Sequence, residues 1–161
     1  MEANKKQASF FKFEDLRLYD KAVEYNKWLV ATFRTKQISK AEDILVDDFV
    51  RASLTVAKCI AEGAYYSKKE FELYLKDAKT NVRECYVLTE ISSKLELLTI
   101  EETEKSKDCL MELTRMLGAL IVSLNKRTSN KKDSITNNSD KATTTNIVES
   151  TEENYEFNLE F

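Results

Sequence analysis

Histidine and proline are absent from the 161-residue chain, and glycine occurs only twice. Without histidine, the commonest general base and zinc ligand is gone, and with it the usual proton relay. Two glycines cannot build a dinucleotide-binding fingerprint or a P-loop. Sheet proteins need a tight turn roughly every ten residues, and those turns draw on glycine and proline. A chain so short of both is predicted to be mostly helical, and no cofactor is expected. Long apolar runs are missing too: the longest uncharged stretch of the helical part, Met116 to Asn125, falls well short of the ~20 residues of a membrane span. The opening MEANKKQASFFKFEDLR has lysines but no apolar signal-peptide core. These absences read as a soluble, cytoplasmic protein with no membrane partner.

Cysteine is scarce as well. Cys59, Cys85 and Cys109 are an odd number without C-x-x-C spacing, each inside a helical pattern, which suits small buried hydrophobes rather than a metal site. Charge is plentiful, with 25 basic and 28 acidic side chains, but unevenly spread: 3 of the basic and 7 of the acidic ones fall in residues 128–161. The body is therefore close to neutral and the tail acidic. A protein that works by neutralising phosphates usually shows a positive surplus on its domain.

Hydrophobic content of 42% is enough for a sizeable core. Apolar residues recur at helical spacing in four segments. Leu16, Tyr19, Ala22, Val23, Asn26, Leu29, Val30 and Phe33 predict a helix from about Glu14 to Thr35, with Asn26 hydrogen-bonded at a helix seam. Leu45, Phe49, Ala52, Val56 and Ile60 predict a second from about Lys40 to Glu62, stopped by Gly63. Ser67-Lys68-Lys69-Glu70 fits a capping box and opens a third. Its core face reads Phe71, Tyr74, Leu75, Ala78, Val82, Cys85, Leu88 or Thr89, Ser92 and Leu95. A second box, Thr99-Ile100-Glu101-Glu102, opens a fourth with the stripe Leu110, Leu113, Leu117, Leu120, Ile121, Leu124, running to about Lys126. Gly118 inside it costs about 1 kcal/mol against alanine, and close contact with a neighbouring helix is the expected compensation. Short links favour antiparallel neighbours. The expected fold is all-α: an up-down-up-down antiparallel four-helix bundle over residues 13–127, preceded by an arm at 1–12.

Residues 128–161 read as a flexible, disordered acidic tail, polar and without period at first. Its end differs: Tyr155, Phe157, Leu159 and Phe161 alternate with Glu156, Asn158 and Glu160, the period of an extended strand. These four apolar residues are the candidate partner-binding segment, able to fill an apolar pocket while acidic groups meet a basic rim, or to add a strand to a sheet edge.

FEDLRLYDKA in the first helix, RASLTVAKCIAEG at residues 51–63 and SKKEFELYLKDAKTNVRE from Ser67 resemble the four-helix bundle proteins encoded in intervening sequences of bacterial 23S ribosomal RNA. The resemblance covers Phe13 to Lys126. Its most specific part is Ile60-Ala61-Glu62-Gly63 followed by Ser67-Lys68-Lys69-Glu70-Phe71. Cys59, Ala57 and Ile44 stand where the family usually has asparagine, proline and glycine. The resemblance implies a homopentamer of bundles around a central channel and no known biochemical activity. It further implies kinship of fold with accessory proteins of diversity-generating retroelements, which bind nucleic acid to assist a reverse transcriptase.

Two constellations on the body remain. Arg51 and Glu62 lie eleven positions apart, about 16 Å along a helix, so each needs another partner, and Glu84 is the candidate for Arg51. They are expected to be structural ion pairs, since no second acid, metal cluster or nucleophile accompanies them. Lys69, Lys76, Lys79 and Arg83 form a basic stripe on the third helix, the candidate contact for RNA or single-stranded DNA, diluted by Glu72, Asp77 and Glu84. The leading expectation is a non-catalytic oligomeric scaffold for protein interaction or assembly. The alternative is a nucleic-acid-binding accessory factor working with a reverse transcriptase or structured RNA.

Overall fold

A computed structural model describes residues 11–132, with side chains through Asn125. After a 3-10 turn at Lys12–Asp15 come four α-helices: α1 (Arg17–Arg34), α2 (Lys40–Gly63), α3 (Lys68–Lys94) and α4 (Ile100–Lys132). Each helix packs on its chain neighbours and α1 closes the ring against α4. Cross-helix contacts fix the directions. Along α1, Lys36 beyond its end meets Glu102, Tyr25 meets Ser106 and Lys21 meets Glu112, so α4 ascends as α1 descends. On α3, Glu90 meets Lys107 while Glu72 meets Asn125, which makes that pair antiparallel as well. The bundle is up-down-up-down.

Capping boxes start three of the helices. Ser67 and Glu70 exchange hydrogen bonds at the head of α3, and Thr99 and Glu102 do so at α4, at 2.8 and 3.2 Å. Ser39 and Glu42 form a third at α2, whose S-x-x-E signature also stands in the sequence. The first helix has no side-chain cap. It begins later than its periodicity predicts, because Leu16 takes an extended conformation, φ −87° and ψ 109°, between the 3-10 turn and Arg17. At the other end α4 continues past the expected stop near Lys126 to Lys132. Nothing in 126–132 breaks it, since this polar stretch contains neither proline nor glycine.

Phe33, Phe49, Leu29, Ile60, Leu75, Leu110, Leu113 and Leu117 form the centre of the core. The face of α1 is turned from the expected one: Leu18 and Tyr25 are buried, while Val23 is exposed. The reason is tertiary, since α1 must satisfy α2 and α4 together and its core line bisects them. Leu95, expected inside, is exposed, and Leu97 and Leu98 of the following turn fill that space.

Both glycines serve purposes other than those expected. Gly63 does not stop α2 through a left-handed conformation, for its φ is not positive. A Cβ there would lie 2.6 Å from Phe71 Cδ2 and 2.7 Å from Tyr74 Cβ, so the glycine lets α3 approach. Gly118 has nothing within 4 Å of where a Cβ would stand, so no contact among the described residues compensates it.

Candidate functional site

The sequence places its basic stripe on α3, and the structure sets Lys69, Lys76 and Arg83 on the exposed outer side of that helix with Lys79 half-buried. Lys76 is engaged by Glu72, one turn away, at 2.9 Å. Lys69, Lys79 and Arg83 make no ion pair among the described residues. Exposed apolar side chains interrupt the stripe: Leu73 is 60% and Val87 55% exposed, with Ile91 beside them. α4 contributes Met111, Val122 and the bare backbone of Gly118 to the adjoining outer surface. Two contacts, Glu90 with Lys107 and Glu72 with Asn125, set the register. They bring Val87 level with Met111, and Leu73 level with Val122. The result is a mixed apolar and basic face across α3 and α4. Its apolar members escaped the sequence reading because each helix was read for one stripe; the available signal was the set of apolar residues left over at positions 73, 87 and 91.

The expected partnership of Arg51 with Glu84 is not formed. Arg51 pairs with Asp48 of its own helix, one turn away, so the guanidinium has no need of α3. Glu84 is exposed on α3 and makes no ion pair among the described residues. Glu62 accepts a hydrogen bond from the Tyr66 hydroxyl at 3.1 Å, a link that pins the α2–α3 turn rather than the bundle register. All three are surface groups worth little to stability.

Polar specificity lies instead in the interior. Thr89 donates its hydroxyl proton to the carbonyl of Cys85 at 2.9 Å. Its Oγ1 therefore accepts from Ser106 at 2.8 Å, and Ser106 in turn accepts from the Tyr25 hydroxyl at 2.9 Å. This ordered chain of donors joins α1, α3 and α4 and leaves every member satisfied. Burial raises the Tyr25 phenol far above its ordinary value, so it stays a donor. At the α1–α2 seam Asn26 donates to Ser53 at 2.6 Å, as its place in the stripe implies.

Burial pushes the Cys85 thiol up to about 12 and also raises Cys59 and Cys109, the reverse of an activated thiolate. No three histidine, cysteine or acidic side chains converge as metal ligands among the described residues. No described helix is long and apolar enough to cross a membrane.

A second surface feature lies across the bundle from α3 and α4. Tyr19, Val23 and Asn26 of α1 and Leu54, Ala57 and Lys58 of α2 line a groove of about 270 Å³. The tail residues Tyr155, Phe157, Leu159 and Phe161 lie outside the described residues.

The class these features define is a four-helix bundle with two distinctive surfaces. Residues 14–119 match the model of the 23S rRNA-intervening sequence protein family, and the chain belongs to that family. A solved structure from Bacteroides thetaiotaomicron, a protein with unknown function from the S23 ribosomal protein family, is similar at 19% identity and a TM-score of 0.59. The match covers 65% of this chain and 94% of that one, and at such identity the likeness is one of fold. No curated protein matches the chain.

Proposed function

We propose that the protein is a non-catalytic cytoplasmic assembly module whose bundles associate through the outer face of α3 and α4. The observation that carries this reading is the exposed apolar set Leu73, Val87, Ile91, Met111 and Val122, gathered on one side of the bundle. The set falls in two clusters along about 27 Å of α3, Val87, Ile91 and Met111 in one and Leu73 and Val122 in the other, and exposed apolar side chains grouped on one face mark an interaction site more than scattered single ones do. Gly118 supports the same surface, because a glycine with no neighbour among the described residues permits close approach by another chain. The resemblance to pentameric bundle proteins makes a homopentamer the expected stoichiometry.

Sedimentation equilibrium of the full chain tests this. The wild-type protein is expected at a multiple of 18.6 kDa and Val87→Glu at the monomer mass with unchanged helix content. A monomeric wild type at micromolar concentration overturns the proposal.

A second reading, as a nucleic-acid-binding accessory factor working with a reverse transcriptase or structured RNA, is favoured by three cations on the same face, Lys69, Lys79 and Arg83, that have no counter-ion among the described residues. Repetition of that face in an oligomer multiplies a weak contact. Electrophoretic shift of a structured RNA at low salt, lost in Lys79→Glu/Arg83→Glu, is its test; no shift at low salt retires it.

A further inference from the structure

The groove between α1 and α2 is mostly apolar and open. Ala57 and Ala61, one turn apart, give it depth. Val23 and Leu54 on its two walls remain 41% and 40% exposed. It leads into an aromatic group at the same end of the bundle. There Phe13 packs 4.8 Å from Tyr19, a groove residue, and 6.1 Å from Tyr65, and Phe11 stacks on Phe13 at 5.4 Å. None of these residues belongs to the face assigned above to assembly, so this surface still lacks an occupant.

We propose that the occupant is the chain's own C-terminal segment, residues 155–161, with Tyr155, Phe157, Leu159 and Phe161 turned into the groove. Three observations converge on it. The first is periodicity: alternation puts all four apolar side chains on one side of an extended segment and Glu156 and Glu160 on the other. Six residue steps span about 20 Å. From Leu54 to Tyr65 the groove and its aromatic end rise about 16 Å, so segment and surface match in length.

The second is reach. Arg17 near the start of α1 lies level with Glu112 of α4, 3.9 Å away. From that level α4 climbs about 30 Å to Lys132. The chain from Lys132 to Tyr155 extends to at most about 80 Å. This is enough to return that distance and cross the bundle. The third is charge. Lys58 stands in the wall of the groove, and of the residues from 128 onward 3 are basic and 7 acidic. Tethering raises the local concentration of the segment to roughly the millimolar range, so modest contacts suffice. The extended backbone keeps its hydrogen bonds to water because the groove is open on its outer side.

Photo-crosslinking of the full chain with p-benzoyl-phenylalanine at position 157 tests the proposal. The expected product joins position 157 to residues 19–26 or 54–61 of the same chain. It runs at monomer mass on a denaturing gel, and its yield does not change on dilution. Leu54→Glu, at an exposed position, is expected to lower the yield about tenfold without altering helix content, and Val23→Glu on the opposite wall repeats the measurement independently. Crosslinks elsewhere on the bundle, no crosslink, a product at twice the chain mass, or indifference to both wall substitutions overturns the proposal. Val87→Glu keeps the crosslink even where it abolishes assembly, so the two proposals fail separately.

Discussion

Glu96 holds the position where helices most often recruit glycine. α3 ends in a Schellman arrangement: the Leu97 amide donates to the Ser92 carbonyl at 2.9 Å and the Glu96 amide to Ser93 at 3.0 Å, which requires a left-handed residue between them. Glu96 supplies it at φ 58°, against the steric cost of its Cβ. Burial of Leu97 and Leu98 just beyond holds the turn in place. Replacing Glu96 with glycine is expected to stabilise the protein by about 1 kcal/mol, read as a higher urea midpoint with an unchanged slope. The interior hydroxyl chain makes the opposite prediction. Ser106→Ala leaves the buried Tyr25 hydroxyl without its acceptor and Thr89 without its donor, a loss of about 1–3 kcal/mol. Ser92→Ala, one turn from Thr89, removes a hydroxyl with no hydrogen-bond partner among the described residues and is expected to cost less. Comparative thermal melts followed through Trp28 fluorescence check the pair.

The helices owe their start points to short-range chemistry, which is why they were legible. Ser67–Glu70 and Thr99–Glu102 announce α3 and α4 in four residues each, and hydrogen bonds in the same four residues realise them. Glu102 serves twice, for it also binds Lys36 at 2.7 Å and so ties the end of α1 to the head of α4. Burial acts to raise its pKa, but hydrogen bonds from Lys36 and from the Thr99 amide outweigh that and lower it from 4.5. Hydrogen bonds from Ser39 and Ser67 lower Glu42 and Glu70 likewise. A carboxylate depressed in the folded state contributes stability above its unfolded pKa and loses it as pH falls through the folded one. Unfolding midpoints are thus expected to drop as pH falls below about 4.5, and Glu102→Gln to flatten that drop while lowering stability at pH 7. An acid limb as steep as wild type in Glu102→Gln contradicts this account. The start of α1 was not legible, because Leu16 delays it, whereas the end of α2 at Gly63 was, although the glycine there admits Phe71 and Tyr74 of α3 instead of making a left-handed stop.

For the whole molecule, Gly118 lets the proposed association be tested apart from folding. With nothing within 4 Å among the described residues, Gly118→Leu is expected to leave the fold intact and the helix content equal or higher. On the proposed assembly face the same side chain blocks close approach, so light scattering is expected to show a fall in mass. Loss of helix content instead would place the glycine in an intrachain contact. The near-neutral body fits association through apolar contact, with Lys69, Lys79 and Arg83 placed around it rather than forming an unbroken track.

Fold class, helix number and most of the core were written in the sequence, because spacing of three and four fixes which side chains share a helix face whatever lies opposite. Asn26 and the stripe from Leu110 to Leu117 follow from that rule alone, and two of the caps from the capping-box signature. What the tertiary structure decided was every question about which neighbour a face meets. It turned α1 to bury Tyr25 against Ser106, left Glu84 without Arg51 as a partner, and set leftover apolar residues of α3 and α4 on one side. Periodicity defines a direction around one axis, whereas these choices depend on how four axes are set against one another, and that is settled only when their cores are buried together.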